Sequence, residues 1–147
     1  MKPVVLVTRK LPDVVEARLQ RDYQPILNPT DTLYSSEEII KIAENVDGIL
    51  PCHTEKFNAE VIERLPERVK IIANFSVGYD HVDTEAAKKR GLVVTNTPDV
   101  LSDATAELTI MLMLGAARRA SEGERLVRTR EWKDWSPSFM VGVQMPG

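Results

Sequence analysis

Short apolar runs that alternate with helix-forming segments constrain the fold of this chain more than any other feature of its sequence. Five such runs are predicted to be strands: 4–8, 23–27, 48–50, 69–73 and 92–95. The first is continuous in apolar and β-branched residues, which is typical of a strand covered on both faces, and the second is weaker. The segments between them carry apolar residues at helical spacing. This βαβαβαβαβ order predicts an α/β fold with one parallel, doubly wound, five-stranded sheet and helices on both faces.

Capping residues mark where several of these helices should begin and end. Ser35 and Glu38 have the spacing of a capping box, and Asn58 is expected to cap the next helix. Asp83 is a third candidate cap, and Gly91 is expected to end the helix that follows it.

Composition narrows the range of partners. The 147 residues suit one ordinary domain, and 19 Lys and Arg against 22 Asp and Glu give an interspersed net charge of −3. Nothing in this balance indicates a nucleic-acid or anionic membrane partner, and no apolar run reaches the roughly 18 residues of a membrane span. The chain enters a strand without a signal-peptide layout, and its single cysteine cannot form an internal disulfide, so we expect a cytoplasmic protein.

The loops that follow the first, third and fourth strands should meet at one edge of the sheet. Ligands of doubly wound sheets bind outside the carboxyl ends of the strands. The loops concerned are 8–10, 51–54 and 74–78. The expected arrangement is flavodoxin-like, with these loops forming the walls of any site.

The residues in these loops argue against one alternative, a phospho-receiver domain, which would need acidic residues after strands one and three. Arg9 and Lys10 follow the first strand, and Cys52 and His53 follow the third. His53 could act as an acid or base, because imidazole titrates near neutral pH, or it could be a polar loop residue without chemistry. Cys52 is expected to be a small buried residue. The two histidines, His53 and His81, lie too far apart in sequence to indicate a metal site.

The loop that follows the fourth strand has the composition of an anion site. It is polar, and its Gly78 could adopt a positive φ or let a ligand approach the backbone closely. Free N–H groups point outward where a strand leads through a glycine loop into a helix. The same residues could instead form a plain βα connection with a permissive glycine.

Three motifs in order carry a family resemblance. Residues 74–83, Asn-Phe-Ser-Val-Gly-Tyr-Asp-His-Val-Asp, resemble the N-x-x-x-G-x-D-x-V-D segment of the D-isomer-specific 2-hydroxyacid dehydrogenases. Residues 91–98 and 103–108 resemble the next two signatures of that family, at the right spacing. The branch that the chain resembles most is that of the glyoxylate and hydroxypyruvate reductases.

The resemblance implies a site for a small 2-oxo acid. In it, the backbone N–H groups of Val77 and Gly78 would hold the substrate carboxylate. The full set of implied substrate contacts is His53, Ser76, Val77, Gly78 and, from the partner subunit of a homodimer, Trp135. Thr105 matches a position that contacts the cofactor, and no catalytic or metal-binding residue is expected within these 147 residues.

The same resemblance implies three parts of the chain: a substrate-binding domain over 1–98, a hinge and interdomain or dimer helix over 99–120, and a dimerisation arm over 121–147. The helix predicted from Ala104 to Ala120 is apolar around its whole axis, so a second domain or a second subunit must cover it. After Arg119 the pattern becomes irregular, and an extended arm with exposed aromatic residues is expected. Trp135 could instead pack on its own domain.

No dinucleotide fingerprint can be drawn through the seven glycines, because none of them form G-x-G-x-x-G. In the family this fingerprint of the NAD(P)-binding domain, and the arginine, glutamate and histidine of the catalytic set, would follow residue 147. The resemblance therefore implies the substrate-binding portion of an oxidoreductase that reduces glyoxylate or hydroxypyruvate with NADH or NADPH. The fragment alone is expected to be inactive and to bind no cofactor. The alternative is a non-catalytic, ligand-sensing or corepressor-like binding protein of the same fold.

Overall fold

A computed structural model describes residues 1–145. Five strands form one sheet: β1 (Val4–Val7), β2 (Gln24–Ile26), β3 (Gly48–Leu50), β4 (Ile71–Ala73) and β5 (Val93–Thr95). The helices are α1 (Asp13–Asp22), α2 (Ser36–Ala43), α3 (Ala59–Arg64), α4 (Thr84–Arg90), α5 (Ser102–Ala117) and α6 (Ala120–Arg128). None of these helices is long and apolar enough to cross a membrane.

The sheet confirms the predicted parallel topology. Its strand order is β2-β1-β3-β4-β5, and every neighbouring pair is parallel. The jump from β2 back across β1 to β3 makes the sheet doubly wound, which places α1 on one face and α2, α3 and α4 on the other. The carboxyl ends of β1, β3, β4 and β5 lie along one edge.

Two apolar cores lie on these two faces. The larger core joins Leu6, Ile49 and Ile72 of the sheet to buried residues of α2, α3 and α4. The smaller core joins Val7 to Leu19 of α1. Because adjacent residues of a strand point to opposite faces, Leu6 and Val7 belong to different cores.

The predicted helix ends are confirmed where side chains cap them. Ser35 and Glu38 form the capping box of α2, and the side chain of Asn58 accepts the N–H of Val61 at the start of α3. Asp83 caps α4, and Gly91 ends it with φ of +71°.

The chain divides into two compact units, with the boundary between Val100 and Leu101. In the second unit, α5 begins two residues before and ends three residues before the predicted Ala104–Ala120 helix. The sequence predicted an irregular course after Arg119, and this is wrong for residues 120–128, which form the amphipathic helix α6. The residue before this helix, Arg119, has φ of +54°. Residues 129–145 contain turns but no helix or strand. Residues 146 and 147, the end of the predicted arm, lie outside the described residues.

Candidate functional site

The loop from Asn74 to Asp83 begins at the carboxyl end of β4 and leads directly into α4. Its first residue, Asn74, is buried, and both its N–H and its side-chain Nδ2 donate to the carbonyl of Thr95, each at 2.9 Å. These two bonds fix the start of the loop to the end of β5. The name glycine loop is used below for residues 74–83.

The carbonyl groups at the centre of the glycine loop are all occupied. The carbonyl of Ser76 accepts the N–H of Thr97 at 3.0 Å. The carbonyl of Val77 accepts Nδ2 of Asn96 at 2.7 Å, and that of Gly78 accepts the Ser76 hydroxyl at 2.7 Å. Three successive peptide groups therefore use their oxygens to hold the loop in place.

The N–H groups of the same peptides have no protein acceptor among residues 1–145. In a trans peptide the N–H points opposite to the C=O, so the N–H groups of Val77, Gly78 and Tyr79 point away from the contacts made by the preceding carbonyls. Val77 is half-buried, and Gly78 and Tyr79 are exposed. Successive unpaired N–H donors of this kind form an anion-binding concavity.

Of the two roles expected for Gly78, close approach of a ligand to the backbone is compatible with the structure and a positive φ is not. Among the described glycines only Gly91 has a positive φ, so the first of the two roles expected for Gly78 is wrong. A Cβ atom at Gly78 would lie 3.4 Å from Oδ2 of Asp80 and would be attached beside the free N–H of Gly78 itself. The glycine therefore keeps the backbone accessible.

The loop after β3 lies beside the glycine loop. The N–H of Phe75 donates to the carbonyl of Pro51 at 2.8 Å, and the N–H of Phe57 donates to the carbonyl of His81 at 2.8 Å. His53 is exposed on this neighbouring loop, and its side chain has no hydrogen-bond partner in the described part of the chain. The structure thus brings His53 and the Ser76–Gly78 segment onto adjoining loops.

The surroundings of Cys52 and His81 favour an unreactive thiol and a neutral imidazole. Burial and the neighbouring Glu55 carboxylate raise the pKa of the Cys52 thiol, which keeps it protonated at neutral pH. The His81 ring Nε2 lies 2.9 Å from Oδ1 of Asn74. Because Nδ2 of Asn74 donates to Thr95, its Oδ1 faces His81 and the ring nitrogen is assigned as the donor. Burial lowers the pKa of His81, so a neutral imidazole braces the loop.

Two residues that support the glycine loop were not found from the sequence. Asn96 binds the Val77 carbonyl, and Thr97 binds that of Ser76. Both follow β5, whose carboxyl end lies beside that of β4. The topology therefore offered a signal, since polar residues after a neighbouring strand reach the same edge.

Thr105 and Trp135 belong to the second unit. Thr105 lies in the first turn of α5, is exposed, and donates its N–H to the carbonyl of Leu101 at 2.9 Å. Trp135 is 73% exposed and borders an apolar cavity of about 290 Å³. The other residues that line this cavity are Gly123, Leu126, Val127, Trp132, Phe139 and Met140. The roles of Thr105 and Trp135 toward a ligand stay predictions.

Comparison with known families agrees with this fold. The family model described as D-isomer specific 2-hydroxyacid dehydrogenase, catalytic domain, matches residues 5–136. The chain belongs to this family. Among its relatives, glycerate dehydrogenase of Hyphomicrobium methylovorum is 42% identical over 144 residues, which are 98% of this chain and 45% of that protein.

Solved structures of the same family superpose on this chain. A protein of Polaromonas sp. JS6 66, described as a D-isomer specific 2-hydroxyacid dehydrogenase, matches with a TM-score of 0.90 and 37% identity, covering 100% of this chain and 46% of that one. An NADPH-dependent glyoxylate/hydroxypyruvate reductase of Sinorhizobium meliloti, in complex with NADP and malonate, matches with a TM-score of 0.73 and 30% identity, covering 93% and 43%. The chain therefore spans about half the length of the relatives it matches.

Proposed function

We propose that the glycine loop holds the carboxylate of a small 2-oxo acid, and that the chain is the substrate-binding portion of an NAD(P)-dependent D-2-hydroxyacid dehydrogenase. The observation that carries this proposal is the orientation of the loop, with occupied carbonyls on one side and free N–H groups on the other. Membership of the family supports it. The names of the relatives favour glyoxylate or hydroxypyruvate as the substrate of the parent enzyme.

Each residue of the site has a distinct proposed role. The N–H groups of Val77 and Gly78 donate to the carboxylate oxygens, and charge-assisted bonds of this type are about twice as strong as neutral ones. The Ser76 hydroxyl, which already donates to the Gly78 carbonyl, keeps the turn in the required shape and can still accept from the ligand. His53 contacts the remainder of the substrate, and Trp135 of the partner subunit closes the site.

The nicotinamide cofactor, NAD or NADP in the parent, would supply the hydride. The described residues do not fit such a cofactor on their own, because Thr105 offers one exposed hydroxyl on a helix and no glycine-rich turn accompanies it. We therefore derive no hydride or proton transfer from this chain. Within the proposal the 147 residues bind the 2-oxo acid, and alone they do not reduce it.

We also propose a homodimer through the second unit. The large apolar side chains of α5 are between 47% and 60% exposed: Leu108, Ile110, Met111, Leu112, Met113 and Leu114. They surround the helix axis, so more than one neighbour is needed to cover them. A two-fold dimer would cover part of this surface, and it is the arrangement that the proposed role of Trp135 requires.

Amide NMR of the ¹⁵N-labelled 147-residue chain tests the substrate proposal. On titration with glyoxylate, the N–H signals of Val77, Gly78 and Tyr79 are expected to shift downfield as they bond to the carboxylate. Glycolaldehyde, which has a similar size but lacks the carboxylate, is expected to leave them in place, with chloride matching the ionic strength. Equal shifts with both compounds, or shifts confined to other regions, would contradict a carboxylate site on the glycine loop.

A further inference from the structure

Glu55 is a buried carboxylate at the edge of the site, and the proposed binding mode does not use it. The residue is 3% exposed, and no lysine, arginine or histidine of residues 1–145 forms an ion pair with it. Oε2 accepts the N–H of Cys52 at 3.0 Å, and Oε1 accepts the hydroxyl of Thr54 at 2.8 Å. Both oxygens therefore act as acceptors toward the loop after β3.

The Thr54 hydroxyl extends this arrangement to the loop after β1. It accepts NH1 of Arg9 at 2.9 Å while it donates its only proton to Glu55, so its orientation is fixed. Arg9 in turn binds both carboxylate oxygens of Asp31, at 2.7 and 2.8 Å, and holds the pKa of Asp31 well below its usual range. Each guanidinium nitrogen of Arg9 thus donates to a side chain, so Arg9 connects the loops after β1 and β3 to Asp31.

These hydrogen bonds fix the residues on both sides of His53. The residue before it, Cys52, and the residue after it, Thr54, are both bound to the same Glu55 carboxylate. The loop is also joined to the glycine loop through the bond from Phe75 to Pro51. The exposed side chain of His53, which has no partner among residues 1–145, thus stands on a backbone that is fixed on both sides, in a loop that adjoins the glycine loop.

We infer that Glu55 is a positioning residue, which holds His53 where its imidazole reaches the part of a bound 2-oxo acid beyond the carboxylate. This inference rests on the proposed function of the glycine loop. The simpler explanation is that a buried carboxylate needs hydrogen-bond partners to be tolerated. The two accounts differ in one respect, since only positioning makes the effect of Glu55 on binding depend on the presence of His53.

A double-mutant cycle in the 147-residue chain separates the two accounts. Affinity for glyoxylate and for hydroxypyruvate is measured by amide NMR in wild type, E55Q, H53A and the double variant. An amide accepts at only one of its two ends, so the side chain introduced by E55Q cannot accept from both Cys52 and Thr54. We expect E55Q to weaken binding about tenfold when His53 is present and to have no further effect in the H53A background.

A second pair of variants keeps the test decisive if E55Q does not fold. T54S retains the hydroxyl and is expected to keep wild-type affinity, whereas T54V removes it at nearly the same volume and is expected to reproduce the loss. Equal losses from E55Q or T54V with and without His53 would overturn the positioning role, as would unchanged affinity. If wild type itself does not bind either acid, the proposed function fails first, and that result is distinguishable because it appears before any substitution is made.

Discussion

At the scale of single residues, the two glycines that flank α4 have different physical roles. Gly78 has no positive φ, but a side chain there would stand beside the free N–H donors. Gly91 has φ of +71° and open space where a Cβ would be placed. In our proposal the first glycine gives the ligand access to the backbone, whereas the second is needed for its conformation.

Substituting each glycine should separate binding from stability. Gly78→Val is expected to weaken glyoxylate binding at least tenfold with little change in unfolding free energy, because it obstructs charge-assisted hydrogen bonds worth about 1.5–3 kcal/mol each. Gly91→Ala is expected to lower the unfolding free energy by about 1 kcal/mol and to leave binding unchanged, because alanine resists the left-handed region. Amide NMR and urea unfolding measure the two effects. Wild-type affinity in a folded Gly78→Val chain would show that the ligand does not approach this backbone.

At the scale of secondary-structure elements, α4 anchors the far end of the glycine loop. Oδ1 of Asp83 accepts the N–H of Ala86 at 2.9 Å, which caps the helix. The N–H of Asp83 donates to the carbonyl of Phe57 at 2.8 Å, and that of Phe57 to the carbonyl of His81. One residue thus joins the helix, the glycine loop and the loop after β3.

Two substitutions of Asp83 separate the effect of its capping hydrogen bond on stability from the effect of its negative charge. Asp83→Ala is expected to lower the unfolding free energy by about 1 kcal/mol, because one N–H at the helix start loses its acceptor. Asp83→Asn keeps a side-chain oxygen and is expected to lose much less. Urea unfolding measures the free energy of unfolding of both variants, and the dependence of that free energy on urea concentration should be the same in each. Equal losses would mean that the carboxylate charge, not the capping bond, stabilises the start of the helix.

The elements also show how far sequence reasoning reaches. The caps at Ser35, Asn58 and Asp83 are local signals, since each side chain binds an N–H three residues later, and all three were predicted correctly. Helix α6 was missed, because the polar composition of residues 120–128 masks its narrow apolar face and its start depends on the positive φ of Arg119.

The arrangement of the loops at the candidate site was predicted in part, because only some of their contacts follow from the order of the strands. The glycine loop and His53 follow strands whose order the sequence specifies, so the loops that carry them were predicted to adjoin. The bond from Asn96 to Val77 spans 19 residues, and that from Arg9 to Thr54 spans 45. The strand order predicts that the loops of Arg9 and Thr54 meet, but which side chains bond to each other depends on the packed sheet, and no local pattern in the sequence predicts it.

At the scale of the whole molecule, the apolar surface of α5 is the strongest reason to expect self-association. Its six large apolar side chains are each about half exposed, and none of the helix residues is buried. Removing the exposed half of such a side chain from water is worth about 1 kcal/mol. The summed burial free energy of several such side chains, counted on both copies, is comparable to the free-energy cost of the translational and rotational freedom lost on association.

Met113→Asp should therefore dissociate the dimer that we propose. Light scattering at micromolar concentration is expected to give twice the chain mass for wild type and one chain mass for Met113→Asp, because a carboxylate buried in the interface would be strongly unfavourable. Val14→Asp is the matched control, since Val14 is 79% exposed on α1 and gains the same charge outside the second unit. Its mass should equal that of wild type. A monomeric wild type, or a dimer that survives Met113→Asp, would show that α5 is not the surface through which two copies associate.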